Sequence, residues 1–253
     1  MSVIALYNSK GGVGKTAATV NLGHLAAGQG YRTLVWDLDP QGAATYYFRV
    51  RHRLKGGSLA LTSQRDRIGD RVRGTDFELL DVLPSDLELR NVEFAFDAAK
   101  HRTGRVRRVV QELRRDHYEL IFIDCPPSSS LVAENIFAAA DVLLVPVVPT
   151  TLSVRTLRQL DDTLGEMKGP IPKVLVFFSM VDGRKSLHAE LVAALRDERQ
   201  DVATAMIPSA TEVELMGTTR RPVTETAPNS VGAQAYARLW DEVVRRGYTE
   251  LTL

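Results

Sequence analysis

A glycine-rich segment near the start of the chain constrains the fold more than any other feature of the sequence. It reads Asn-Ser-Lys-Gly-Gly-Val-Gly-Lys-Thr over residues 8–16, directly after a short apolar run and directly before a helical pattern. Glycines in such a setting let the backbone curl so that its N–H groups point at one anion, and the helix start adds its positive dipole end. A turn that only caps a helix would not require the Lys-Thr pair. The segment therefore predicts a phosphate-binding loop.

Two side chains at the end of this loop carry the chemistry. Lys15 supplies a point charge for the outer phosphates of a nucleotide, and the hydroxyl of Thr16 is a hard oxygen ligand that suits Mg²⁺. We expect nucleotide contacts from the whole loop and from the residue that follows it. The predicted nucleotide-binding residues of this segment are Lys10, Gly11, Gly12, Val13, Gly14, Lys15, Thr16 and Ala17.

Short apolar runs alternate with helical patterns along the rest of the chain. Strands are expected at 3–7, 33–36, 78–83, 120–123, 142–147, 174–178 and 203–207. Helices are expected near 15–28, 87–99, 105–116, 131–139, 153–167, 187–198 and 232–246. Buried strands separated by helices are typical of a doubly wound, mostly parallel α/β sheet with helices on both faces. The sequence therefore predicts one P-loop NTPase domain over residues 1–253.

Aspartates stand at the ends of two of these predicted strands. Asp37 and Asp39 follow the second strand, and Asp124 follows the apolar run at 120–123. Ligands of parallel sheets bind beyond the carboxyl ends of the strands, where carboxylates suit magnesium binding and orientation of an attacking water. We expect these carboxylates to lie beside the phosphate-binding loop.

The loop departs from the strict P-loop pattern, because Ser9 stands where a glycine is expected and Lys10 adds a second lysine. In this form it resembles the deviant Walker A motif of the ParA/MinD family of P-loop ATPases, and is closest to the ParA/Soj-type partitioning branch. Residues 36–42 resemble the switch I segment of that family, residues 120–128 its Walker B and switch II segments, and residues 207–236 its C-terminal section.

This resemblance implies an ATPase that uses ATP/ADP and Mg²⁺. Its catalytic residues would be Lys10, Lys15, Asp39 and Asp124, and its metal-binding residues Thr16, Asp37 and Asp124. The purine would rest near Met180 and Pro208. Adenine is favoured over guanine, because only Asp182 remains of the Asn-Lys-x-Asp pattern that guanine-specific proteins carry there.

The resemblance also implies partners. Two chains would form an ATP-dependent homodimer in which Lys10 reaches the phosphates bound by the other subunit, and a ParB-like or other protein would stimulate hydrolysis. Non-specific DNA is a further candidate partner. Ser209 and Glu212 hold positions that are often arginine in the family, whereas Arg220 and Arg221 follow closely. Ala17 replaces a threonine that is usual after the motif.

Two basic segments give a second reason to consider an anionic partner. Residues 49–74 carry eight Arg or Lys against two Asp, and residues 100–115 carry seven against one Glu, in a chain of net charge +1. In the second segment an apolar stripe at i, i+3, i+4 and i+7 indicates that the arginines could equally cover the outer face of a helix. The stripe consists of Val106, Val109, Val110 and Leu113.

Two functions therefore remain open: an ATP-driven switch that positions or segregates DNA or another large cargo, and an ATP-dependent regulatory or scaffold protein that acts on a protein complex without binding DNA. The single cysteine, Cys125, argues against an iron–sulfur relative, which needs two cysteines per chain, but a small-molecule kinase or amide-forming ligase of the same fold is not excluded.

The predicted location is the cytoplasm, with nucleoid association if DNA is bound. The chain starts directly with an apolar strand, and its longest apolar run, 142–149, is too short to cross a bilayer. Family members that dock on membranes end in a basic amphipathic helix. Here the C-terminal residues Leu239, Trp240, Val243 and Val244 are expected to pack against the core, so no membrane partner is expected.

Overall fold

Eight strands form one sheet in the computed structural model, which describes residues 1–51, 67–92, 96, 104–128 and 131–249. The strands of these described residues are β1 (Ser2–Leu6), β2 (Thr33–Asp37), β3 (Arg73–Gly74), β4 (Leu80–Leu83), β5 (Leu120–Asp124), β6 (Val142–Val147), β7 (Lys173–Val181) and β8 (Val202–Pro208). Their order is β3-β4-β2-β5-β1-β6-β7-β8. Only β3 pairs antiparallel, so the predicted mostly parallel α/β sheet is confirmed.

Helices connect the strands across both faces of the sheet. They are α1 (Lys15–Gly28), α2 (Ala43–Tyr47), α3 (Arg105–Leu113), α4 (Leu131–Phe137), α5 (Thr151–Gly165), α6 (Ser186–Glu198), α7 (Thr211–Glu214), α8 (Met216–Thr219), α9 (Val223–Thr226) and α10 (Val231–Arg245). Short 3-10 turns occupy Ile68–Arg71, Leu87–Asn91 and Arg114–Asp116. Side-chain caps set two of the helix starts, because the hydroxyls of Thr150 and Ser230 accept hydrogen bonds from backbone N–H groups in the first turns of α5 and α10.

Alternate side chains of the central strand β1 enter two separate cores. Val3 and Ala5 pack on the face that α3, α4, α5 and α6 cover, and Ile4 and Leu6 pack on the face that α1 and α10 cover. Because both faces of the strands are buried, their sequences read as continuous apolar runs rather than as alternating ones. This burial fixes the strand ends, and therefore the loops that follow them.

The structure confirms all seven predicted strands and adds β3, which has only two residues and no pattern of its own. It also adds the short helices α2, α7, α8 and α9. Of the helix predicted at 87–99, residues 87–91 form a 3-10 turn and residues 92 and 96 are helical, while 93–95 and 97–99 lie outside the described residues.

The two basic segments are described only in part, because residues 52–66 and 100–103 lie outside the described ranges. The apolar stripe of α3 is buried, as predicted. The same holds for the C-terminal packing residues, which are buried on α10. None of the helices in the described part of the chain is long and apolar enough to span a lipid bilayer.

Candidate functional site

The glycine-rich loop between β1 and α1 adopts a backbone that requires glycine at two positions. Gly12 and Gly14 have φ angles of 70° and 91°, which side-chain-bearing residues rarely adopt. A Cβ atom on Gly14 would also lie 2.7 Å from the Oγ of Ser179, at the end of β7. Glycine at position 14 therefore lets the loop pass close to β7 and open α1 without strain.

Asn8 ties the start of this loop to the neighbouring strand. Its Nδ2 donates a hydrogen bond to the carbonyl of Pro146 in β6 at 2.8 Å, and its Oδ1 accepts one from the backbone N–H of Lys10 at 2.9 Å. The main chain of Lys10 is thereby fixed, and the residue is partly exposed. The asparagine thus sets the position of Lys10 in the loop.

Lys15 is buried, and its ammonium group is turned into the loop. Nζ donates to the carbonyl oxygens of Asn8 at 3.1 Å and Lys10 at 2.9 Å. Burial lowers the pKa of Lys15, and the nearby carboxylate of Asp124 opposes that shift. The lysine therefore holds a positive charge inside a loop whose other donors are neutral amides, which favours binding of an anion there.

Asp37 and Asp124 end the adjacent strands β2 and β5 and are direct partners in the sheet register. Both are fully buried, and Oδ1 of Asp37 and Oδ2 of Asp124 have no hydrogen-bond partner among the described residues. Burial raises the pKa of Asp37 to about 7, against the hydrogen bonds from Thr45 that favour its charged form. Burial also raises the pKa of Asp124, and the neighbouring Asp37 adds to that rise.

These two carboxyl groups fit a magnesium ion. Thr16 is near enough to Asp124 to favour its charged form and so to lower its pKa, and Oγ1 of Thr19 donates a hydrogen bond to Oδ1 of Asp124 at 3.3 Å. Among the described residues no group of three or more His, Cys, Asp or Glu could hold a metal ion. Mg²⁺ needs fewer, because it binds through one or two carboxylates together with phosphate oxygens and water. Two buried carboxylate oxygens without a partner and one hydroxyl meet that requirement.

Asp39 differs from Asp37 in its exposure. It is partly exposed, and one of its carboxylate oxygens accepts a hydrogen bond from the backbone N–H of Gln41 at 2.9 Å. It also lines the cavity beside the glycine-rich loop. The structure therefore places a carboxylate at the cavity wall next to Lys15, where it can contact solvent.

The cavity has a volume of about 320 Å³, and it brings together most of the residues predicted from the sequence. Its walls include most of the loop residues together with Asp39, Met180 and Pro208. Four predicted residues do not line it: Lys10 and the buried Val13, Asp37 and Asp124. The lining residues are Gly11, Gly12, Gly14, Lys15, Thr16, Ala17, Asp39, Ala43, Tyr47, Pro127, Ser179, Met180, Ile207, Pro208, Ser209, Ala210, Val213, Glu214 and Tyr236.

Comparisons with known proteins found relatives that match nearly the whole chain. A family model described as an AAA domain matches residues 1–175. The chain is 31% identical to the chromosome partitioning protein ParA of Caulobacter vibrioides, over 97% of this chain and 95% of that protein. It is 34% identical to the chromosome-partitioning ATPase Soj of Thermus thermophilus, over 96% of this chain and 95% of that protein.

The chain belongs to the ParA/MinD family of P-loop ATPases.

A solved structure supports the same fold. The cobyrinic acid a,c-diamide synthase of Mycobacterium smegmatis, crystallised with an ATP analogue and magnesium, superposes with a TM-score of 0.79 at 25% identity. The alignment covers 97% of this chain and 95% of that protein.

Sequence reasoning missed several residues of the site. Tyr47 and Tyr236 line the cavity, and Ser179 packs against Gly14. Thr45 and Ser85 hold the segment that carries Asp37 and Asp39. One signal was available for two of them, since Ser85 and Ser179 lie at or just beyond the ends of predicted strands, where ligands of parallel sheets bind.

Arg220 and Arg221 are engaged within the chain. The guanidinium of Arg220 lies 4.3 Å from the ring centroid of Tyr46 and donates to the Tyr46 carbonyl at 3.1 Å. Arg221 forms an ion pair with Glu225 and lies 3.7 Å from Asp76. These side chains therefore join α2, α8 and α9, and neither projects into solvent without a partner.

Proposed function

We propose that this chain is a magnesium-dependent ATPase that works as a dimerisation switch, and that its cycle positions or segregates DNA or another large cargo. The observation that carries the proposal is the arrangement of one buried lysine and two buried carboxyl groups around a single loop. Nζ of Lys15 donates hydrogen bonds to two carbonyl oxygens of the loop. The carboxylate oxygens of Asp37 and Asp124 that have no partner among the described residues lie at the ends of adjacent strands.

The phosphates of ATP would replace the carbonyl oxygens that Lys15 now contacts. The backbone amides of the loop and the start of α1 would bind the same phosphates. Mg²⁺, when bound, would neutralise charge that develops on the phosphates and link them to the protein. Thr16, Asp37 and Asp124 are the residues that would hold it, directly or through water.

Asp39 is the residue proposed to orient the attacking water. Its carboxylate lies on the cavity wall and is partly exposed, so water can reach it, whereas Asp37 is fully buried. Positioning of the nucleophile is the main contribution that a protein makes to phosphoryl transfer. Hydrolysis would be slow until a ParB-like or other partner protein stimulates it.

The base would lie between Met180 and Pro208, which line the same cavity as the phosphate-binding loop. Tyr47, Val213 and Tyr236 add apolar and aromatic surface to the same cavity. Asp182, the one residue left of the guanine-binding pattern, forms an ion pair with Arg184 at 2.9 Å and does not line the cavity. These features support adenine as the base.

Lys10 is proposed to act between subunits. Its backbone is fixed by Asn8 and Lys15, and the residue is partly exposed. In an ATP sandwich, this lysine would contact the phosphates bound by the partner subunit, so the dimer would loosen when hydrolysis removes the γ-phosphate. Such a switch would act in the cytoplasm, and on the nucleoid if it binds DNA.

One observation favours a second candidate function, in which the same switch acts on a protein complex and does not bind DNA. Arg220 and Arg221 make contacts within the chain, and Glu212 lies near the start of α10, with Oε1 at 3.4 Å from the backbone N of Gly232. The two arginines of this region thus already have partners within the chain, and Glu212 would repel phosphate. DNA binding would then depend on other basic residues.

An electrophoretic shift assay separates the two candidates. The protein is mixed with nonspecific duplex DNA without nucleotide, with ADP and with ATP plus Mg²⁺, over a series of salt concentrations. If the first function holds, ATP raises DNA affinity, and the affinity falls linearly with salt on logarithmic axes because phosphate contacts release counterions. No ATP-dependent binding at low salt would favour the protein-directed switch.

A further inference from the structure

The short helix α2 follows the segment that carries Asp37 and Asp39, and its central residue Thr45 is fully buried. Thr45 donates two hydrogen bonds to the same carboxylate oxygen, because its backbone N and its Oγ1 each lie 2.7 Å from Oδ2 of Asp37. This leaves Oδ1 as the oxygen of Asp37 without a partner among the described residues. The rotation of the Asp37 carboxylate is thereby fixed.

Ser85, which follows β4, is also fully buried and extends this contact to the next aspartate. Its backbone N–H donates to Oγ1 of Thr45 at 2.9 Å, and its Oγ donates to the carbonyl of Asp39 at 2.5 Å. The direction of each bond is set by chemistry, because an N–H can only donate and a carbonyl can only accept. The Thr45 hydroxyl must therefore accept from Ser85 and donate to Asp37.

We propose that Thr45 and Ser85 form a hydroxyl relay of positioning residues, in which Thr45 aims the Asp37 carboxylate at the metal and Ser85 fixes the main chain of Asp39. The inference rests on the proposed function, since it assigns these residues to the metal and water positions of the same site. It joins residues from three parts of the chain: the end of β2, helix α2 and the residue beyond β4.

The expected size of the effect follows from other metal sites. Mg²⁺ requires near-octahedral geometry, so a carboxylate that can rotate binds it less well. Partners that orient metal-binding groups typically contribute about 10- to 100-fold to metal affinity or activity. The relay is buried, and water cannot easily replace a lost hydroxyl there.

The test uses Thr45→Val, which removes the hydroxyl and keeps the backbone donor to Asp37. In calorimetric titrations, we expect half-maximal ATP binding by this variant to require a Mg²⁺ concentration at least about tenfold higher than the parent requires. Thr45→Ser retains the hydroxyl and should stay close to the parent. The matched control is Thr33→Val, at the other end of β2, where an equally buried hydroxyl donates to the carbonyl of Tyr31. Thermal melting establishes that each variant is folded.

Ser85→Ala tests the second half of the relay with a different readout. It removes the donor to the Asp39 carbonyl and leaves the backbone N–H that bonds to Thr45. We expect kcat to fall by about tenfold, while the Mg²⁺ concentration for half-maximal ATP binding stays within about twofold of the parent. An unchanged kcat would contradict the role of Ser85.

The outcomes separate the relay from the proposed function. If the parent needs Mg²⁺ for tight ATP binding and Thr45→Val responds as the parent does, the relay is overturned and the site stands. If Thr33→Val shifts the Mg²⁺ requirement as much as Thr45→Val, the effect is general and the relay is also overturned. If the parent itself binds ATP no better with Mg²⁺ than without, the proposed function fails, and the relay fails with it.

Discussion

Asp37 and Asp124 lie directly opposite each other at the carboxyl ends of two neighbouring parallel strands, and neither exposes any surface to solvent. Burial raises the pKa of both carboxyl groups, and the charge of Asp37 adds to the rise at Asp124, so the pair retains a proton more readily than exposed aspartates do. A divalent cation would reverse that preference, because it interacts favourably with both ionised groups.

The first prediction is a pH dependence of stability. The pKa of Asp37 rises from 3.8 to about 7 on folding, so the folded state binds more protons than the unfolded chain between these pH values. Its contribution to the free energy of unfolding must therefore fall as pH rises through that window. Asp37→Asn removes this dependence. We expect urea denaturation without Mg²⁺ to show the variant gaining stability relative to the parent from about pH 4 to 7.

Asp162→Asn, on an exposed position of α5, is the matched control for that series. The stability difference between this variant and the parent should not follow the trend of Asp37→Asn. A difference between Asp37→Asn and the parent that stays constant over the same pH range would show that Asp37 does not retain its proton in the folded chain.

The second prediction concerns Gly14, where any side chain would be unfavourable for two reasons: the backbone conformation and a close contact. Gly14→Ala requires a left-handed backbone, which costs about 1–2 kcal/mol, and brings Cβ to 2.7 Å from Oγ of Ser179. Gly14→Ala should therefore lower the midpoint of thermal unfolding and weaken ATP binding. Adding Ser179→Ala removes the contact but not the backbone cost, so only part of the stability should return. Full recovery in the double variant would mean that the backbone is not strained.

The third prediction separates the two lysines of the loop. Lys15→Ala should weaken ATP binding by about 10- to 100-fold, because it removes a charged donor from a buried phosphate site. Lys10→Ala should bind ATP close to the parent affinity, since its proposed contact is to the phosphates of the partner subunit. Calorimetry at protein concentrations that keep the chain monomeric makes the comparison. Equal losses in both variants would contradict this division of roles.

The fold and the phosphate loop were predictable because their signals are local. Residues 11–14 carry the loop, and buried parallel strands such as β6 read as continuous apolar runs. Strand β3 was missed because two exposed residues that pair with the edge of β4 carry no periodicity. Thr45 and Ser85 were missed for a different reason: hydroxyl residues are common, and only the folded chain brings these two together, 40 positions apart.

The proposed base pocket was predictable only in part. The resemblance to the ParA/MinD family implied Met180 and Pro208, and both line the cavity. Tyr236 lines the same cavity from α10, the last helix of the chain. Its sequence context indicates only that it lies on the buried face of a helix. The engagement of Arg220 with Tyr46 likewise depends on how α2 and α8 pack, which sequence periodicity does not report.

The fourth prediction tests the switch itself with Asp39→Ala. This variant should keep ATP binding, since Asp39 lies beside the water position rather than on the phosphates, and should lower kcat by about 100-fold or more. Because ATP then persists, the ATP-bound dimer should accumulate. An ATP turnover rate equal to that of the parent would remove Asp39 from this role and direct attention to Asp37.

The most direct test of the account is the molar mass of Asp39→Ala in solution, measured by sedimentation equilibrium with Mg²⁺ and either ATP, ADP or no nucleotide. We expect twice the chain mass of 28.0 kDa with ATP, and the mass of a single chain with ADP or without nucleotide. The double variant Lys10→Ala/Asp39→Ala should remain a single chain in all three conditions. The same mass for Asp39→Ala with ATP as with ADP would contradict the ATP-dependent switch.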